Sequence, residues 1–228
     1  MTDTTIAQNI AKLRDRIRIA AQNCGRDPDS VTLLAVSKTR PPAAVRAAAA
    51  AGLHDIGENY LQEALKKVQA LTSLNLRWHF IGPLQSNKTR DVATHFAWVH
   101  SVDRLKIAKR LNDQRPSSMP PLNVCLQVNI SSETSKAGLA PADVAALARD
   151  VAALPRLCLR GLMAIPAPPD SGANERAPFA ALRELQGSLL SEHPHLDTLS
   201  MGMSGDMEAA IAEGATIVRI GTDIFGPR

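Results

Sequence analysis

Three short segments of this 228-residue chain carry residue types suited to binding a phosphorylated carbonyl compound. Lys38 directly follows the apolar run 31–37, and a partly desolvated lysine amine loses its proton more readily and can form an imine with a carbonyl group. Segments 203–208 and 221–222 each combine glycine with a hydroxyl side chain, a combination that suits anion binding at a helix N-terminus. Taken alone, Lys38 could be a surface lysine, and each glycine segment could be an ordinary helix cap.

These segments follow apolar runs that predict eight β-strands alternating with helices. The runs begin at residues 31, 54, 77, 97, 123, 158, 198 and 216. Buried strands alternating with helices predict a parallel sheet covered by helices. Eight such units close a (β/α)8 barrel, and 228 residues lies near the lower size limit of that fold. A doubly wound open sheet is the alternative, but it would carry a glycine fingerprint after the first strand, where this chain has Ser37-Lys38-Thr39-Arg40-Pro41.

The barrel prediction brings the three segments to one end of the molecule, because barrel sites lie at the C-terminal ends of the strands. Lys38 would follow strand one, and the two glycine segments would follow strands seven and eight, where barrels frequently bind phosphate. Arg219 lies within the last strand. Its side chain could point into the barrel or outward to the helices, and the sequence leaves both orientations open.

The N-terminal segment, residues 1–28, predicts a helical extension outside the barrel pattern. Gly25 stands where a left-handed helix stop is expected. The apolar residues before it share one helical face; they are Ile6, Ile10, Leu13 and Ile17. No linker or low-complexity tract divides the chain, so we predict one domain over residues 1–228.

Composition argues against several classes of protein. The 26 basic and 22 acidic residues give a net charge of +4 without a basic block, and aromatic residues make up 3%, which disfavours nucleic-acid binding. No run approaches the roughly 18 apolar residues of a membrane span, and the N-terminus lacks a signal-peptide core. The cysteines are far apart and form no C-x-x-C pair; they are Cys24, Cys125 and Cys158. We therefore expect no disulfide, no metal site and a cytoplasmic location.

The histidines and carboxylates indicate no further chemistry at this level. His54, His79 and His100 lie in or beside predicted strands, and we expect all three to be core residues. No histidine spacing or His/Cys cluster is typical of a metal site. The aspartates and glutamates form no obvious acid/base pair.

At these same residues, the sequence resembles the YggS/PROSC-type pyridoxal-phosphate homeostasis proteins. The resemblance covers nearly the whole chain from residue 30 onward. It rests on the blocks 33–38, 57–60, 78–88, 129–138, 161–166, 201–208 and 218–226. The family relation implies a barrel of the alanine racemase N-terminal type, the arrangement called fold type III, with pyridoxal 5'-phosphate (PLP) as cofactor.

The resemblance also implies a role for individual residues. Lys38 would form the internal aldimine with PLP, Arg219 would face the pyridine nitrogen, and Lys136 would take part in cofactor exchange. The cofactor-binding residues that it implies are Lys38, Asn59, His79, Met203, Ser204, Gly205, Arg219, Gly221 and Thr222. Two departures stand out: Arg40 replaces a lysine of some relatives, and the chain stops without their paired-lysine tail, so an accessory cofactor site that depends on that tail is not carried over.

The implied function is to bind and buffer PLP and to deliver it to client enzymes, without catalysis and as a monomer that contacts neither nucleic acid nor membrane. One alternative is a PLP-dependent racemase, which needs an acid/base group on each face of the substrate carbon. Tyr60 is the single tyrosine, and no additional β domain to supply a second one is expected. Another alternative is a lysine-dependent barrel aldolase, but aldolases usually carry the lysine on a later strand.

Overall fold

A computed structural model describes residues 2–131, 137–167 and 174–227. In these residues eight parallel strands close a barrel in the order β1 to β8, which confirms the predicted fold class. The strands are β1 Thr32–Val36, β2 Asp55–Glu58, β3 Arg77–Phe80, β4 Trp98–Val102, β5 Leu122–Gln127, β6 Leu157–Met163, β7 Thr198–Ser200 and β8 Ile217–Ile220. Closure is made by β1 against β8, with Thr32 opposite Ile217 and Ala35 opposite Ile220.

Helices connect the strands and cover the barrel, and one helix precedes it. They are α1 Asp3–Asn23, α2 Pro42–Ala50, α3 Leu61–Ala70, α4 Thr89–His95, α5 Leu105–Gln114, α6 Val144–Ala152, α7 Ala177–Leu189, α8 Met207–Ala212 and α9 Thr222–Phe225. Among the described residues, no helix combines the length and the apolar character needed to cross a membrane.

Apolar side chains occupy two layers, because successive residues of a strand face opposite sides of the sheet. On β1, Leu33 and Ala35 belong to the large core between strands and helices, whereas Leu34 and Val36 point into the barrel. Ile81 and Ile217 complete this small interior cluster. Other interior positions carry polar side chains, which become important for the site.

Helix α1 contacts both of the last two helices of the barrel. Its apolar stripe is buried as predicted, and Gly25 ends the segment with a φ of 68°. Arg16 pairs with Glu208 of α8 and with Asp223 of α9, at 2.8 and 2.9 Å. The amide of Asn9 donates to the carbonyl of Ile224 over 3.1 Å. The N-terminal helix therefore supports the elements that follow β7 and β8.

We predict that the contacts of α1 contribute measurably to stability. Leu13 is 2% exposed, so Leu13→Ala should lower the free energy of unfolding by about 2–5 kcal/mol. Ile19, 49% exposed on the same helix, is the control, and Ile19→Ala should change it by less than about 0.5 kcal/mol. Urea denaturation of both variants measures the difference; equal losses would show that α1 does not pack as described.

Candidate functional site

A cavity of about 280 Å³ opens at the C-terminal ends of the strands. It is lined by Val36, Lys38, Arg40, Asn59, Ile81, Ile165, Met203, Ser204, Gly205, Arg219, Gly221 and Thr222. Every cofactor-binding residue named from the sequence is among them except His79. Lys136 lies outside the described residues. The barrel thus brings the lysine, the arginine and both glycine segments to one cavity.

Two glycine-containing turns form one wall of this cavity. Residues 203–206 make a turn in which the Asp206 carboxylate accepts from the Met203 backbone N–H over 2.5 Å, and α8 follows. Gly221 precedes α9 and packs so closely on β1 that an added Cβ would lie 3.1 Å from the Val36 carbonyl oxygen. The carboxylate of Asp223 is paired with Arg16 of α1, so this negative charge does not belong to the cavity lining.

Lys38 lies in a loop that a buried charge cluster holds on both sides. The cluster consists of Ser37, Glu58, Glu63 and Lys67. The Lys67 ammonium donates to the Ser37 carbonyl at 2.6 Å and to Glu58 and Glu63 at 2.7 and 2.5 Å. On the other side of Lys38, the Thr39 backbone N–H donates to Glu63 over 2.7 Å. We call this group the Lys67 cluster.

Three members of the Lys67 cluster are removed from water, and the fourth, Glu63, is 31% exposed. Lys67 is 2% exposed and Glu58 is fully buried, and the Ser37 hydroxyl also donates to Glu58. Burial raises the pKa of Glu58, against the opposing effect of its hydrogen bonds from Lys67 and Ser37. A buried ammonium that contacts two carboxylates costs more to disrupt than a surface pair. The cluster therefore fixes the backbone on either side of Lys38.

Asn59, which lines the cavity, has a polar atom in its side chain that is unpaired within the described part of the chain. Its Oδ1 is buried and has no hydrogen-bond partner among the described residues. The loop after β3 packs tightly here, since a Cβ added at Gly82 would lie 2.2 Å from the Asn59 carbonyl oxygen. The Ser101 hydroxyl donates to the Gly82 carbonyl over 2.6 Å. Buried polar groups are normally paired, so the Oδ1 of this cavity-lining residue still has the capacity to accept a hydrogen bond.

Arg219 points into the barrel, which resolves the two orientations left open by the sequence. It is 5% exposed and forms the floor of the cavity. Its guanidinium donates to the Ser200 carbonyl and hydroxyl at 2.5 and 2.9 Å, and to the Ala164 carbonyl at 2.8 Å. Burial lowers the pKa of Arg219 to about 10, so it carries its charge at neutral pH.

Two of the three histidines expected in the core are there. His79 and His100 are buried in the barrel interior, but His54 is exposed, so the expectation for His54 was wrong. His54 precedes the first residue of β2, where the chain has not yet entered the sheet.

His79 is not part of the cavity lining. It lies deeper in the barrel, hydrogen-bonded to Asp55 and His100 at 3.0 Å each.

The rim of the cavity includes a second arginine. Arg40 donates to the carbonyl oxygens of Gly226 and Pro227 at 2.5 and 2.9 Å. Met203, 39% exposed, lies at the opening.

Among the cysteines, Cys125 is buried and burial raises its thiol pKa to about 12, as expected for a core residue.

Comparison with known proteins agrees with this geometry. The profile of the family described as alanine racemase, N-terminal domain, matches residues 8–228. A pyridoxal phosphate homeostasis protein of Pseudomonas aeruginosa is 67% identical over 225 residues, which cover 99% of this chain and 96% of that protein. Its counterpart in Escherichia coli K12 is 56% identical over 98% of this chain and 97% of that protein. The chain belongs to this family of homeostasis proteins.

Solved structures extend the comparison. PipY of Synechococcus elongatus PCC7942, solved with PLP bound, is 43% identical with a TM-score of 0.83, covering 97% of this chain and all of that chain. Alanine racemase of Corynebacterium glutamicum has a TM-score of 0.72 at 15% identity, over 99% of this chain and 61% of that chain. At that low identity, the racemase shares the fold alone.

We predict that the Lys67 cluster is required for both stability and the shape of the Lys38 loop. Lys67→Met removes the ammonium and leaves two carboxylates facing each other, which should lower the free energy of unfolding by about 3–5 kcal/mol. Its neighbour Lys66 is exposed, and Lys66→Met should have no measurable effect. Thermal and urea denaturation compare the two; a Lys67→Met variant as stable as the wild type would contradict this assignment.

Proposed function

We propose that this protein binds PLP covalently, as a Schiff base on Lys38, and serves in the homeostasis of that cofactor by holding, buffering and delivering it. The observation that carries the proposal is the shared cavity of Lys38, the two glycine turns and Arg219. These residues suit three chemical groups: a phosphate, an aldehyde and a pyridine nitrogen. The PLP-bound structure of PipY, which is 43% identical, supports the choice of cofactor.

Each part of the cavity suits one part of PLP. Backbone and hydroxyl groups of the two turns suit the phosphate; the residues are Ser204, Gly205, Gly221 and Thr222. The Lys38 amine would bond to the carbonyl carbon, and the Arg219 guanidinium would face the ring nitrogen. Asn59 Oδ1, buried without a partner among the described residues, supports the fit because a bound molecule could satisfy it.

A charged arginine at the ring nitrogen favours a carrier over an enzyme. PLP, when bound, supplies an electrophilic carbonyl and a ring that accepts electrons best when its nitrogen is protonated. Arg219 stays protonated at neutral pH because its pKa is about 10. It can donate a hydrogen bond to the nitrogen but repels a proton there. The ring would then be a weak electron sink, which suits storage of the cofactor.

The cavity lining also lacks the partners of acid/base chemistry. Within the described part of the chain, its ionisable residues are Lys38, Arg40 and Arg219. Tyr60 is 54% exposed and is not in the lining. Racemisation requires an acid/base group on each face of the substrate, and aldol chemistry also needs a proton-transfer group beside the lysine. We therefore propose a role without turnover.

We further propose that the chain is one domain that acts as a monomer in the cytoplasm and meets PLP-dependent client enzymes transiently. The single domain is supported by the segment that follows α1, where Arg26 donates to the carbonyls of Ile211 and Ala215 at 2.8 and 2.9 Å. All three cysteines are unpaired, which suits a reducing compartment. The absence of a basic block gives no reason to add a nucleic-acid partner.

We predict that PLP added to the purified protein produces a visible absorption band and that borohydride reduction fixes the cofactor on Lys38. Lys38→Ala should abolish the band while the phosphate turns retain part of the noncovalent affinity. Lys109, exposed on α5, provides the matched control, and Lys109→Ala should keep the band. Absorption titration and peptide mapping of the reduced adduct measure both effects. An adduct found mainly on Lys136 would overturn the assignment.

A further inference from the structure

A continuous chain of side-chain hydrogen bonds crosses the barrel interior from the cavity floor toward the opposite end. Arg219 Nη1 donates to Ser200 Oγ over 2.9 Å, and Ser200 Oγ lies 2.7 Å from His100 Nδ1. His100 Nε2 lies 3.0 Å from His79 Nδ1, and His79 Nε2 lies 3.0 Å from Asp55 Oδ1. These five buried residues come from five different strands. We call them the interior chain.

Both ends of the interior chain have a fixed hydrogen-bonding role. A guanidinium can only donate, and Arg219 is charged at neutral pH. Burial would raise the pKa of Asp55, but hydrogen bonds from His79 and Arg77 outweigh this and hold it at about 2. Asp55 is therefore a carboxylate that can only accept. Arg77 anchors this end through two bonds to Asp55, of 2.7 and 2.5 Å.

With both ends fixed, the neutral histidines have one consistent proton arrangement. His79 Nε2 must carry its hydrogen to face the Asp55 carboxylate, which leaves His79 Nδ1 as an acceptor. His100 Nε2 must then donate to His79, which leaves His100 Nδ1 to accept from the hydroxyl of Ser200. The Ser200 oxygen in turn accepts from Arg219. Every bond in the chain then points in the same direction, from the arginine to the aspartate.

The competing arrangement requires a charged histidine. If both ring nitrogens of His79 carried a hydrogen, His100 would have to accept at Nε2 and donate from Nδ1. The hydroxyl hydrogen of Ser200 would then have no acceptor in the interior chain. Burial lowers the pKa of His79 and lowers that of His100 well below its ordinary value. Trp98 stacks on His79 at 5.5 Å and limits access of water. Across the described residues, no group of His, Cys, Asp or Glu is arranged to hold a metal instead.

We propose that Asp55, His79, His100 and Ser200 are positioning residues that hold Arg219 at the cavity floor through a one-directional hydrogen-bond chain. The interior of a small barrel is usually filled by branched apolar side chains, and polar groups there are costly unless they are paired. Here each hydrogen bond pairs one buried polar group. Because all the bonds have the same direction, each acceptor presents a lone pair toward the Arg219 end of the chain, as Asp55 does at the other end. The further link to PLP rests on the proposed function, in which Arg219 faces the ring nitrogen.

The proton arrangement can be tested on the protein without added cofactor. Two-bond ¹H–¹⁵N correlation spectra of ¹⁵N-histidine protein, assigned with His79→Gln and His100→Gln, report the tautomer of each ring. We expect both rings to be neutral Nε2–H tautomers at pH 7. His79→Phe removes the acceptor of the His100 Nε2–H and should leave His100 with a mixture of tautomers, whereas Ser200→Ala keeps that acceptor and should leave the Nε2–H tautomer in place. A His100 tautomer that stays unchanged in a folded His79→Phe variant would show that the interior chain does not set it. An Nδ1–H tautomer of His100 in the wild type would overturn the proposal.

A second measurement tests the effect on Arg219 in the site. His100→Phe should lower the affinity for PLP at least tenfold and shift the absorption maximum of the bound cofactor, and Ser200→Ala should do so to a smaller extent. His95, exposed at the end of α4, is the control, and His95→Phe should match the wild type. Unchanged affinity and absorption in both Ser200→Ala and a folded His100→Phe would overturn the positioning role. Failure of the wild type itself to bind PLP would contradict the proposed function but leave the tautomer result standing.

Discussion

A charged guanidinium buried inside an eight-stranded barrel must be hydrogen-bonded on the protein side, and this requirement shapes the interior of the molecule. Arg219 is 5% exposed, and its protein bonds use three of its five hydrogens. The acceptors of these hydrogen bonds are Ser200, the last residue of β7, and Ala164, which follows β6. The apolar cluster around Leu34 fills only part of the barrel. Polar residues occupy other interior positions, and Ser200 among them pairs directly with the buried arginine.

Two further groups of charges, one mostly buried and one on the surface, contact the elements that carry the other parts of the cavity. Lys67, 2% exposed between Glu58 and Glu63, fixes the loop that carries Lys38. Arg16 of the N-terminal helix joins α8 to α9 and so supports the two glycine turns. Lys38, the two glycine turns and Arg219 thus each lie beside a separate group of charged or polar contacts outside the cavity lining.

The barrel and the cavity could be predicted from the sequence because both depend on local patterns: apolar runs at regular spacing, and glycine with hydroxyl residues after them. The orientation of Arg219 could not, because strand alternation allows two faces and only the closed sheet selects one. Glu63 and Lys67 have the i,i+4 spacing of an ordinary exposed helix pair, so the burial of Lys67 could not be predicted from the sequence. The bond from His79 to His100 joins neighbouring strands and requires their register.

The most direct test of the account concerns the ring nitrogen of the cofactor. Protein loaded with PLP that carries ¹⁵N in its ring can be measured by NMR at neutral pH. If a charged Arg219 faces this nitrogen, its chemical shift should be that of an unprotonated pyridine that accepts a hydrogen bond, and it should stay so as the pH is lowered to about 6, because the pKa of Arg219 is about 10. The chemical shift of a protonated pyridinium at neutral pH would contradict the assignment of Arg219 and the carrier role that rests on it.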